Sequence, residues 1–162
     1  WDLVVINPGL ILGPSLDKNN AGVSNDLMIK MGDGTYKTGV PKGTHAIVDV
    51  RDVAKAHILA AFTPDASGRH ITAAENQSFL NIAQVLKKHY PKYPLPKRNL
   101  PKPLGWLVGP LFGLTRKFVT RNFNYDVIFD NSYIKKDLGM EFLPFEKTIC
   151  DHFEQLINDK LI

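Results

Sequence analysis

The chain opens with Leu3-Val4-Val5-Ile6, four apolar and mostly β-branched residues with no alternation. That pattern predicts a strand covered on both faces, of the kind found in helix-covered parallel sheets. It runs into Asn7-Pro8-Gly9-Leu10-Ile11-Leu12-Gly13-Pro14, which reads as a tight, rigid loop. A polar, turn-rich stretch at 17–22 follows, and the Val23, Leu27, Met28, Met31 spacing predicts a helix stopped by Gly32-Asp33-Gly34. Tyr36 to Val40 suits a short extended piece and His45 to Val50 a strand. Asp52 stands in N-cap position for a helix over Val53 to Phe62 that is apolar on most sides and should be buried. Ser67-Gly68 turns the chain into a strand over Arg69 to Ala73, and Ser78 caps a helix from Phe79 to Tyr90. Five prolines between Pro91 and Pro103 predict a rigid, extended connector. Near the end, Asn131 or Ser132 caps a short helix to Leu138 before Gly139. Pro144 then opens a last helix with Phe145, Ile149, Phe153, Leu156 and Ile157 on one stripe.

With 162 residues, 44% hydrophobic and 22% charged, the composition is that of an ordinary globular domain, able to bury a core without disulfides or metals. The single cysteine, Cys150, excludes an internal disulfide and cysteine-rich zinc sites. No secretory signal and no apolar run of spanning length is present, so a reducing, cytoplasmic setting is the default. A strand so near the chain start needs neighbours, which suggests the second part of a larger α/β protein; a lost N-terminus would remove any targeting signal. The net charge of +4 hides an asymmetry. Residues 87–121 hold nine Lys and Arg and no acid, leaving eleven basic and sixteen acidic residues elsewhere, so the block carries +9 and the remainder −5. Such a block is either a solvated face or an attractor of phosphates, nucleic acid or anionic lipid.

Candidate chemistry is sparse. There is no G-x-G-x-x-G after a strand and no Walker-type loop. Tyr93 and Lys97 have the Tyr-x-x-x-Lys spacing that lets an ammonium lower a phenol's pKa across one helical turn, but Pro94 and Pro96 lie between them and forbid that turn. His45, His57, His70, His89 and His152 show no metal-binding spacing and read as ordinary surface or core residues. Asp49 and Asp52 flank the strand-to-helix turn around Arg51. They offer either a polar site at a strand's C-terminal end or a helix cap with a local ion pair. Gly105, Gly109 and Gly113 lie in an apolar stretch too short to span a bilayer. That stretch is a broken helix over a substrate pocket, an exposed apolar patch, or a peripheral membrane contact helped by its basic flanks. Cys150 reads as an inert, partly buried thiol.

The first strand, Pro8-Gly9-Leu10-Ile11-Leu12-Gly13-Pro14, and then Ile47-Val48-Asp49-Val50-Arg51-Asp52-Val53-Ala54-Lys55-Ala56-His57 resemble the extended short-chain dehydrogenase/reductase superfamily. Within it the look is of the branch similar to dihydroflavonol reductase and cinnamoyl-CoA reductase. Gly68-Arg69-His70-Ile71 and the ending Leu138-Gly139-Met140-Glu141-Phe142 extend the resemblance over nearly the whole chain, but over only the C-terminal half of such an enzyme. It implies α/β architecture: the C-terminal part of a Rossmann-type doubly wound parallel sheet plus a small, mainly helical substrate-binding lobe. Residues 1–62 would hold the terminal strands and helices of the dinucleotide-binding sheet with interleaved lobe segments, and residues 63–162 mainly the lobe and the C-terminal helix. The loop after the first strand would pass beside the nicotinamide, placing cofactor contacts at Pro8, Gly9, Leu10 and Ile11, with Ser24 a further contact from the segment Asn20 to Ser24.

The family's glycine-rich loop, catalytic Ser and Tyr-x-x-x-Lys helix precede this strand, so the resemblance implies no catalytic residue in this chain. NADP or NAD would serve the intact enzyme, with weak or no binding by the chain alone. The reading is thus the substrate-binding portion of an NAD(P)-dependent reductase of a small-molecule carbonyl, with no metal and no nucleic-acid partner, and with membrane contact through 87–121 conceivable. A nucleotide-sugar epimerase or dehydratase fragment, or a non-catalytic module binding a nucleotide or a partner, are the alternatives.

Overall fold

The fold is seen in a computed structural model that describes residues 3–17 and 22–162, without the side chains at 111 and 112. The segment Asn20–Ala21, within the proposed cofactor approach, lies outside the described residues. The first strand, β1 (Val4–Pro8), is followed after one residue by β2 (Leu10–Leu12), so the expected loop is extended chain through Leu12. Gly9 makes this possible. Its N–H donates to the Thr72 carbonyl at 3.1 Å, and a Cβ there would collide with the carbonyl oxygen of Ala46. The chain therefore slides from one sheet to another without turning.

Helix α1 (Val23–Gly32) buries Met28 and Met31 and leaves Val23 exposed. The strand β3 (Val40–Pro41) is shorter than the expected extended piece, and β4 (Gly43–Asp49) is the most buried strand. Helix α2 (Val50–Phe62) starts three residues earlier than its pattern suggested, because Asp49 rather than Asp52 caps it, accepting the Arg51 N–H at 2.8 Å. Asp52 sits inside the first turn and accepts the Leu143 N–H at 2.9 Å. Strand β5 (Gly68–Thr72) pairs parallel with β1, Ile6 opposite His70. An unforeseen β6 (Glu75–Ser78) runs antiparallel to β4, and β2 runs parallel to it, Leu10 opposite Ile47.

Helix α3 (Phe79–His89) is capped by Ser78, whose Oγ accepts the Asn81 N–H at 3.1 Å. The proline connector contributes β7 (Asn99–Leu100), which pairs with β3. The glycine stretch breaks into α4 (Lys102–Val108), a 3-10 turn (Gly109–Phe112) and α5 (Arg116–Asn122). Then come β8 (Tyr125–Asp126), parallel to β4, α6 (Ser132–Leu138) ending at Gly139, and α7 (Phe145–Asn158). Asn131 holds the cap position of α6 but turns its amide to the Ala73 carbonyl.

The larger core brings Ile149, Phe153 and Leu156 of α7 against Met28, Met31, Leu12, Ile47, Ile82 and Leu86. A smaller one joins Ala56, Ala66, Ile134, Leu138 and Met140. Two expectations fail at that end. Helix α2 buries only Asp52 and Ala56 and leaves Ile58 and Phe62 60% and 81% exposed, while Val4, Val5 and Ile6 are half-buried. Both have one shared cause: α2 packs on β1, β2, β4 and α6, and among the described residues nothing covers its other side or pairs with the second edge of β1.

Candidate functional site

A cavity of about 720 Å³ lies where the carboxyl ends of β2 and β4 meet the first turns of α1 and α2. Open α/β sheets bind ligands at the carboxyl ends of parallel strands, and the volume is that of a small-molecule site. Its walls are largely apolar, from Ile11, Leu12, Pro14, Leu16, Val50 and Ala54, with Ser24, Asn25, Arg51 and His152 supplying polar atoms.

The rim segment Gly13 to Ser15 is held by α7 at two points. Gly13 donates its N–H to His152 Nδ1 at 3.2 Å, so the imidazole proton resides on Nε2, which donates to Asn25 Oδ1 at 2.8 Å. Burial pulls the His152 pKa down to about 4 against the opposing pull of the Asp49 carboxylate, and the ring is neutral at physiological pH. Three residues on, Gln155 accepts the Ser15 N–H at 2.6 Å and donates to the Ser15 carbonyl at 2.5 Å. Gly13 has φ +109°, and a Cβ there would stand 3.0 Å from Asp49 Oδ1.

Asp49 is fully buried beneath this rim, and Arg51 grips it with Nε at 2.9 Å and Nη2 at 2.7 Å. Burial alone would raise the Asp49 carboxyl, but the side-chain and backbone bonds from Arg51 outweigh it and hold the group below the usual carboxylate range. Arg51 reaches Asp151 with its other nitrogen at 2.8 Å, and Lys147 joins the same carboxylate at 2.9 Å. Asp49 is thus a cap and an ion-pair partner, the role the pattern suggested for Asp52. Asp52, pushed upward chiefly by burial, serves the Leu143 amide.

Of the five expected cofactor contacts, Ile11 and Ser24 line the cavity together. Pro8, Gly9 and Leu10 do not. Pro8 is exposed at the end of β1 opposite Thr72, Gly9 is wedged against Ala46, and Leu10 packs on the larger core. Tyr93 and Lys97 lie beyond α3 outside any helix, and the Tyr93 ring meets Phe153 edge-on at 5.1 Å. Among the histidines other than His152, His45 stacks on Phe79, His57 meets the Val53 carbonyl, His70 pairs with Asp137 and His89 with Glu146. Burial pushes the half-buried Cys150 thiol up, away from the reactive thiolate. The clamp residues Asn25, His152 and Gln155 were missed by pattern. Their only trace is a His and a Gln three apart beside the apolar stripe of α7, and their partners lie 127 to 140 residues away.

No protein-family model matches the chain. It is 36% identical over 157 residues to cinnamoyl-CoA reductase 1 of Petunia hybrida, across 96% of this chain and 40% of that protein. It is 43% identical over 162 residues to cinnamoyl-CoA reductase 1 of Arabidopsis thaliana, across 96% of this chain and 39% of that protein. The chain therefore spans about 40% of the length of the curated relatives it matches. Among solved structures, yeast methylglyoxal/isovaleraldehyde reductase complexed with NADPH superposes with a TM-score of 0.68 at 23% identity, over 96% of this chain and 46% of that one.

Proposed function

We propose, from the premise that this chain is a relative of the extended short-chain dehydrogenase/reductases matching the C-terminal part of their Rossmann-type fold, that it forms one wall of the nicotinamide and substrate site of a carbonyl reductase like cinnamoyl-CoA reductase. The observation that carries this reading is the cavity at the carboxyl ends of β2 and β4, which has Ile11 and Ser24 on its surface in a chain with such relatives. Bound NADPH or NADH would supply the hydride. The residues here fit that partner: an apolar cavity excludes water from a hydride path, and a rim pinned by neutral hydrogen bonds is preorganised without adding charge. Ile11, Leu12, Val50 and Ala54 would exclude water, and the Ser24 hydroxyl would orient the carboxamide or the substrate oxygen. Gly9, its N–H committed to Thr72, sets where the Pro8–Ile11 ledge lies rather than donating to a ligand.

Residues 1–62 are assigned mainly to the cofactor sheet and 63–162 mainly to the substrate lobe. The one Tyr-x-x-x-Lys pair in the sequence, Tyr93 and Lys97, is split by prolines, so no proton-donor role is assigned to it. Weak, saturable binding of nicotinamide mononucleotide is therefore expected, with amide shifts in an NMR titration centred on Ile11, Gly13 and Ser24, and no NADPH oxidation with cinnamoyl-CoA. Shifts elsewhere would remove the site, and turnover by the purified 162-residue chain would overturn the claim that it cannot act alone.

A further inference from the structure

The α4–α5 hairpin has two unlike sides. Its inner side is closed: Gly105 lies under the Phe123 ring, Gly109 under Val119, and a crevice of about 60 Å³ lined by Tyr36, Leu100, Val108 and Leu114 separates it from the turn at 34–39. Its outer side presents Leu104, Trp106, Leu107 and Phe118, the Leu107 side 63% exposed, and none of the four lines a cavity described above. Hydrogen bonds within the hairpin help to fix this shape. Lys102 donates to the Thr120 and Phe123 carbonyls at 2.7 and 3.2 Å, and Thr115 caps α5 by accepting the Phe118 N–H at 3.1 Å.

The surrounding charge is uncompensated. Among the described residues no Lys or Arg between 87 and 121 forms an ion pair with a carboxylate. The Arg116 guanidinium carbon lies over the Trp106 ring, 4.5 Å from its centroid, a cation–π pairing beside which the guanidinium N–H groups can meet phosphate oxygens. Lys117 and Arg121, one helical turn apart on α5, are exposed beside it. Aliphatic and aromatic side chains interleaved with cations, in a segment (87–121) that contains no acid, match the chemistry of a bilayer interface. A nucleic acid would use the cations and leave Leu104 and Leu107 in water.

We propose that the outer face of the α4–α5 hairpin docks on an anionic lipid bilayer, with Trp106 and Leu107 entering the headgroup boundary and Arg116, Lys117 and Arg121 meeting lipid phosphates. This stands apart from the reductase reading, since it uses no residue of the cavity.

Vesicle flotation of the 162-residue chain tests it, with phosphatidylcholine alone and with added phosphatidylserine, at low and high salt. Flotation is expected only with phosphatidylserine and is lost at high salt. Replacing Lys117 and Arg121 together by Gln should weaken partitioning roughly thirtyfold, and L107S should weaken it at unchanged lipid composition. In a Trp1→Phe background, Trp106 emission should shift to the blue on vesicles. This readout needs no variant of the hairpin. Absence of flotation, flotation indifferent to phosphatidylserine, or an unshifted Trp106 emission would each overturn the proposal. Salt-sensitive binding to heparin without a Trp106 shift on vesicles would reassign the block to a soluble polyanion.

Discussion

His152 holds the cavity rim as a neutral base, and that makes the rim sensitive to acid. The unfolded chain binds a proton on this ring near its ordinary value of 6.5, whereas the folded ring refuses it until about 4. Its contribution to stability is therefore complete above about pH 6.5 and drains away as pH falls toward 4, a loss on the order of 3 kcal/mol. Asp49, also depressed, weakens the fold in the same direction on acidification, while Asp52, raised by burial, acts in the opposite sense. His152→Gln keeps an acceptor for Gly13 and a donor for Asn25 but does not titrate. Urea midpoints compared at neutral and mildly acid pH should fall less in this variant than in the parent, and equal falls would show that the ring is not the source. The sequence marked Ile11 and Ser24 through a family resemblance, but not the clamp. A hydrogen bond between residues 139 apart leaves no local pattern to read.

Elements were more legible than residues because each carries its own signal. Ser78 and the apolar spacing behind it defined α3, and the stripe through Ile149, Phe153 and Leu156 defined α7. The start of α2 was misplaced because Asp49 and Asp52 are both competent caps, and the choice between them was decided by Arg51 folding back on Asp49. Strand β6, Glu75–Ser78, is wholly polar and forms because β4 offers it a hydrogen-bonding edge. Ser78→Ala should cost about 1 kcal/mol, the usual value of an N-cap. Asp49→Ala should cost more, about 2 kcal/mol, because it removes the cap of α2 and both Arg51 bonds to the buried carboxylate, leaving Arg51 with Asp151 alone. Paired urea unfolding curves decide the order, and equal losses would mean that the Arg51 contact adds nothing.

For the molecule as a whole, the uncovered side of α2 and β1 is the part that sequence described most misleadingly. A helix apolar on most sides and an unalternating strand promise a cover, but Ile58 and Phe62 stand in solvent, and Leu3 is exposed at a crevice of about 460 Å³. A surface of that kind drives association. The purified chain should self-associate in sedimentation, and Ile58→Lys with Phe62→Lys should restore a single small species without lowering the urea midpoint. A monodisperse parent chain would contradict this. The single extended run through Gly9 has a consequence of another kind, in the order of events during folding. Its first half needs residues 68–72 and its second half residues 43–49, and its far end is then pinned by residues 152 and 155. Contacts so remote in sequence close slowly. The cavity wall is thus among the last parts to be completed, and a ligand binding there would report on chains that have finished folding.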